Sequence, residues 1–134
     1  MVEFAIEVLL VEAGERPRKE IIFNSLEDFK IIVNECTAFP ADAEIIELEE
    51  NVVLIRNEEG FLLSLEGNRR IGDEIISGTF FIAGIDDEGN ITSLPDDKIE
   101  KYCKRFWKIE KFTDKEVSDA YWDMWFRASD DIFV

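Results

Sequence analysis

Apolar positions along this chain alternate with period two in some stretches and recur at helical spacing in others, and the switches between the two predict its elements. Residues 2–12 form a β-branched, partly alternating run that ends at the turn cluster Ala13-Gly14-Glu15-Arg16-Pro17, with a second strand predicted at 18–23. After Asn24 and Ser25, either of which can cap a helix, Leu26, Phe29, Val33 and Cys36 recur at helical spacing and predict a helix with that stripe toward the core. Two β-rich runs follow, Ala43 to Leu48 and Val52 to Arg56, joined through Glu49-Glu50-Asn51 as a tight hairpin. Phe61 to Leu65 reads as a short strand, Gly67 to Asp73 as a Gly-bounded polar loop, Thr79 to Ala83 as a buried strand, and Asp86 to Asn90 as a turn.

The remainder is helical. Ser93 with Asp96 three residues on, and Pro95 beside them, mark a helix start followed by the apolar positions Ile99, Tyr102, Cys103 and Phe106, with Lys98, Lys101, Lys104, Arg105 and Lys108 opposite. Thr113 and Glu116 form a capping-box pattern that opens a last helix with Val117, Ala120, Tyr121, Met124 and Ala128 on one face. Trp122 and Phe126, four apart and therefore adjacent, fall on another face. The order ββα, then strands, then αα, predicts an α+β fold, a mostly antiparallel sheet with three helices. Neither a repeat nor a linker divides the chain, so one domain over 1–134 is expected, with 107–134 a helical C-terminal extension of it.

Composition adds that a core is affordable: 134 residues are 46% hydrophobic, with eleven Phe and three Trp. Charge adds more. Thirty-one acids against 15 Lys and Arg give a net charge of −16, which disfavours non-specific binding to nucleic acid or anionic lipid and suits a basic protein groove. The distribution is uneven: Ile31 to Ile55 carries six acids and no base, Ile71 to Asp97 seven acids and no base, and a basic stripe begins at Lys98.

Catalytic patterns are missing. The chain has no His, hence no His-based general base, metal ligand or nucleophile pair. It contains no phosphate-binding Gly loop, no GxGxxG and no GxSxG. Asp86-Asp87-Glu88-Gly89-Asn90 lacks the ligand alternation of a calcium loop and reads as a turn. A carboxylate pair across a cleft is the enzymatic route left open; the expectation is a protein that is not an enzyme and has no cofactor and no metal. Cys36 and Cys103 are expected to be core thiols. Met1-Val2-Glu3-Phe4 has no basic n-region and no apolar run reaches a membrane span, so a cytoplasmic protein is expected.

Two groups of residues are candidates for partner binding. One is acidic: Glu44, Glu47, Glu49, Glu50, Asp73, Glu74, Asp86, Asp87 and Glu88, with simple solvation and neutralisation by the basic helix as the alternative. The other is the aromatic pair Trp122 and Phe126, with burial between sheet and a neighbouring helix as the alternative. Arg69 and Arg70 either grip an anion of a partner or pin the chain's own acidic surface.

Val53 to Gly60, Asn68-Arg69, Ile75 to Gly84, Ser93-Leu94 and Ile99 to Phe106 together resemble domain of unknown function family 3846, over residues 60–110 with a compatible opening segment. Where that family tends to start its last helix with a Thr cap this chain has Pro95, and the residues after Phe106 form an extension. The resemblance implies a short acidic protein of a phage or conjugative element of Gram-positive bacteria, and it carries no activity and no functional residue. In that setting small inhibitors of host defence, including acidic mimics of DNA, recur. The expected function is therefore a non-catalytic accessory protein that binds a basic or nucleic-acid-binding host protein, such as a restriction or CRISPR nuclease, without binding nucleic acid or membrane itself. The alternative is a regulatory module that self-associates as a homodimer or binds a small ligand, in which Trp122 and Phe126 matter more than any acid.

Overall fold

The computed structural model describes residues 3–35, 37 and 40–132, and of 127–132 the backbone alone. Its elements in chain order are β1 (Ala5–Val11), β2 (Arg18–Phe23), α1 (Leu26–Val33), β3 (Ala43–Glu49), β4 (Val52–Asn57), β5 (Gly67–Ile71), β6 (Glu74–Ser77), β7 (Phe80–Ile85), β8 (Ile91–Thr92), α2 (Asp96–Arg105) and α3 (Asp114–Ile132). The sheet runs β2-β1-β7-β4-β3, with β8 pairing the end of β7, and β5 and β6 form a separate two-stranded ribbon. Every one of these pairings is antiparallel, so the fold is α+β as expected.

Strand alternation sends side chains to two cores, one on each face of the sheet. Ile6, Val8, Leu10, Val53, Ile55, Phe81 and Ala83 meet Phe29 and Val33 of α1 on one face. Leu9, Val11, Val52, Leu54, Phe80 and Ile82 meet Ile76 of the ribbon and Tyr102 and Phe106 of α2 on the other. Strands buried on both faces have no polar side to alternate with, which is why residues 52–55 of β4 and the whole of β7 read as unbroken apolar runs.

The local signals for α1 and α3 hold. Ser25 caps α1, its hydroxyl accepting from the Asp28 N–H at 3.1 Å. Thr113 and Glu116 exchange both capping-box bonds at 3.1 Å, which opens α3. Several expectations need correcting. Leu26 is exposed, because α1 is only eight residues long and rests on Phe29 and Val33; Cys36, the last position of its predicted stripe, lies outside the described residues. Phe61 to Leu65 is no strand: Leu63, Ser64 and Leu65 donate back to Glu59, Phe61 and Gly60, and Ser64 is left-handed at φ 58°. Gly67 to Asp73 is no loop but β5 and its turn into β6, disguised because its buried side chains, Asn68 and Arg69, are polar. Ser93 does not cap α2; its hydroxyl accepts from the Glu7 N–H and donates to Glu3, both at 3.0 Å, and Pro95 holds the cap position of α2 with no side-chain hydrogen bond. Among the described residues no helix is long and apolar enough to cross a membrane.

Candidate interaction surface

The acids do not converge. Glu49, at the end of β3, is held by Lys98 and Lys101 of α2, each 2.5 Å away, and accepts from the Tyr102 hydroxyl. The hydrogen bond from Lys101 comes first among the causes, with those from Lys98 and Tyr102, that bring its carboxyl from 4.5 down to about 2. Burial, with Glu49 beside it, pushes the Tyr102 hydroxyl up. Glu44 and Glu74 flank Arg56, the former 3.2 Å from its Nε and the latter on its Nη1. Asp86 is a turn cap: it accepts from the N–H groups of Asn90 and Glu88 at 2.8 and 3.0 Å, and these bonds, Asn90 first, hold its carboxyl below the usual range.

Glu47, Glu50, Asp73, Asp87 and Glu88 are exposed. Ile85 N–H donates to the Asn51 carbonyl at 3.0 Å, which brings the β3–β4 and β7–β8 turns together and gathers Glu50, Asp87 and Glu88 at one end of the sheet. Glu44 lies at the opposite end of β3, in register with Arg56, and Asp73 lies on the ribbon's turn. Two acidic groups result, Glu50, Asp87 and Glu88 at one end and Glu44 with Glu74 and its neighbour Asp73 beside Arg56 at the other, with Glu49 turned inward onto α2.

α3 has a different character. Phe61 stacks on Tyr121 with centroids 4.2 Å apart, and Gly67 lets the helix approach so closely that a Cβ there would lie 2.9 Å from Val117 Cγ2. Val117, Ala120 and Tyr121 are half-buried, as their shared face predicts. Met124, expected on that face, is exposed, because the helix is anchored at its N-terminal half against β6 and the 58–64 turns and runs on beyond them. Trp122 is 48% exposed, Trp125 55% and Phe126 66%, so the aromatics are not wedged between elements. At about 100° per residue these three form one strip at i, i+3 and i+4, and Glu116, Asp119 and Asp123 form the row beside it. Those three acids line an open hollow of about 270 Å³ with Arg70 and Asp73. Trp125 was missed in the sequence; its spacing of three from Trp122 was the available signal.

Arg69 neither grips a partner nor pins acids. It is fully buried, and its guanidinium donates to the carbonyls of Phe106 (3.0 Å), Glu15 (2.6 Å) and Asn68 (3.0 Å) and to Asn68 Oδ1 (2.8 Å). Burial lowers its pKa from the usual arginine value. Asn68 in turn donates to Val11 and Gly78 carbonyls, both at 2.9 Å. The pair ties the end of α2, the β1–β2 turn, β1 and the ribbon into one body. Arg70 is exposed; its N–H donates to Glu110 at 2.9 Å and its guanidinium sits 5.8 Å from the Phe112 ring. Among the described residues no three Cys, Asp or Glu are grouped to hold a metal ion.

A two-core antiparallel α+β body fastened by a buried Asn-Arg pair, with an aromatic helix appended, defines a small acidic α+β protein. The chain belongs to the family described as domain of unknown function DUF3846, whose model matches residues 6–107. The match reaches back through β2 and α1 into β1, further than the 60–110 legible in the sequence, and α3 lies wholly beyond it. No curated protein and no solved structure matches the chain.

Proposed function

We propose that this is a non-catalytic protein-binding accessory module of a phage or mobile element, and that α3 is the element it presents. One observation carries the proposal: Trp122, Trp125 and Phe126 stand exposed in a single strip of a helix that lies wholly beyond the family match. A helix read at i, i+3 and i+4 is the form in which amphipathic helices enter apolar grooves, and Trp is the residue most enriched among interface anchors. The acid row Glu116, Asp119 and Asp123 beside the strip selects a groove with a basic rim, hence a basic partner such as a nucleic-acid-binding host protein. Imitation of DNA by a band of acids draws less support, because Glu44, Glu49, Glu74 and Asp86 are engaged within the chain.

The test is co-purification from host lysate with the wild type, with Trp122→Ala/Trp125→Ala/Phe126→Ala, and with Glu47→Gln/Glu50→Gln/Asp87→Asn/Glu88→Gln. A partner captured by the wild type and by the acid variant but not by the aromatic variant, at unchanged melting temperature, supports the proposal. Retention by the aromatic variant together with loss by the acid variant would move the contact to the sheet end and revive mimicry. With the purified partner, blue-shifted Trp emission on binding is expected.

A further inference from the structure

The two edges of the central sheet are built differently. β3 carries Glu44, Glu47 and Glu49 and its register slips between Glu47 and Glu49, and charge and bulges of this kind block the addition of a further strand. β2 has no such slip, and its charges, Arg18, Lys19 and Glu20, are confined to its first half. Its register with β1 is unbroken from Arg18 to Phe23, and no proline interrupts it. The Asn24 N–H donates to the Phe4 carbonyl at 2.9 Å, so the bonded pairs between these strands fall at Ile6/Ile22 and Val8/Glu20. The N–H and C=O groups of Lys19, Ile21 and Phe23 therefore point away from β1, and among the described residues no strand pairs with them.

The side chains of those same three residues share the face on which α2 lies, but α2 stops short of them. Ile21 is 72% exposed, and Phe23 and the Phe4 ring packed edge-on against it at 5.4 Å are exposed as well. An open groove of about 600 Å³, lined by Lys19, Ile99, Cys103 and Trp107, separates β2 from α2. Unpaired backbone and uncovered apolar side chains thus coincide on one strand.

We propose that β2 pairs with β2 of a second copy of this chain, antiparallel about a two-fold axis at Ile21, and so joins two six-stranded sheets into one. The occupant follows from self-complementarity. With Ile21 opposite its own copy, Lys19 faces the second copy's Phe23 ring, a cation–π pair, and Glu20 faces Ile22, so no like charges stand directly opposite one another. The acids near this edge are already spent: Glu12, Glu15 and Glu20 sit 3.0, 3.2 and 2.9 Å from Arg18, and Glu7 3.5 Å from Lys19. With Arg16, these four acids face three bases and leave a net charge of −1, so on a chain of net charge −16 this is a weakly charged stretch where two copies can approach.

The experiment uses the full chain in analytical ultracentrifugation. The wild type is expected to dimerise, more tightly as salt screens the two like-charged bodies. Ile21→Pro, which removes an outward N–H without touching the β1 ladder, is expected to be monomeric with an unchanged circular dichroism spectrum. If that variant does not fold, Ile21→Cys in a Cys36→Ser/Cys103→Ser background decides: a directly opposed pair lies at disulfide distance, so oxidation should give a covalent dimer, whereas Glu47→Cys in the same background should not. A wild type that stays monomeric at every concentration overturns the proposal. So does a dimer that survives Ile21→Pro and is lost in Trp122→Ala/Phe126→Ala, which would place self-association on α3.

Discussion

Arg69 concentrates the molecule's polar accounting in one side chain. Its planar fork reaches carbonyls on three segments, including the Phe106 carbonyl at the C-terminal end of α2, where the helix dipole also favours a cation. Removing it strands buried acceptors at about 1–3 kcal/mol each, so Arg69→Ala is expected to lower stability by about 3–5 kcal/mol in urea denaturation. Arg69→Lys should recover little, since an ammonium cannot span the same three directions. A variant whose midpoint matches the wild type would show that the guanidinium holds nothing together. Gly84 poses the matching steric constraint: a Cβ there would lie 2.5 Å from Thr92 Oγ1 and 2.6 Å from the Ser93 carbonyl. Gly84→Ala is expected to cost about 1–3 kcal/mol in the same measurement, through separation of β7 from β8. An Asn-Arg dipeptide between glycines looks like a loop in one dimension, because nothing local marks the carbonyls, up to 54 residues away, that receive it.

The elements divide into those set by their own residues and those set by neighbours. α3 begins where Thr113 and Glu116 exchange bonds, and its docking rests on a half-buried face that includes Val117, Ala120 and Tyr121. A helix held so lightly opens separately from the sheet. Thr113→Ala should cost about 1 kcal/mol, and hydrogen exchange should speed up in α3 while the amides of β4 and β7 keep their protection. Equal acceleration throughout would mean that α3 and the sheet unfold as one unit. The segment 61–65 shows the opposite dependence. Its apolar residues suggest a strand, yet Phe61 is claimed by Tyr121 and a Cβ on Gly60 would lie 2.6 Å from the Ser77 carbonyl, so the chain winds into turns there.

For the whole molecule, the uneven charge becomes a device for fastening layers. Glu49 joins the end of β3 to α2 through two lysines and a tyrosine, and its carboxyl titrates at about 2 against 4.5 when unfolded. Because the folded value is the lower one, this contribution is fully present above pH 4.5 and is lost as pH falls toward 2. Glu49→Gln should therefore flatten the stability profile between about pH 5 and 2 and leave its slope at neutral pH unchanged, as chemical denaturation across that window would read. Identical acid limbs in the two proteins would remove Glu49 from this role.

Sequence by itself determined the two strands at the start, the capped starts of α1 and α3, the core stripes Phe29/Val33 and Tyr102/Phe106, and the α+β class, because caps and periodicity are local properties of a few consecutive residues. Tertiary structure alone decided which charges are free, that Arg69 is a buried fastener, that 67–77 is a ribbon, and that β2 and the aromatic strip of α3 are left uncovered. Burial and partnership depend on which distant segments arrive beside a residue, and on which fail to, and that information is spread along the whole chain.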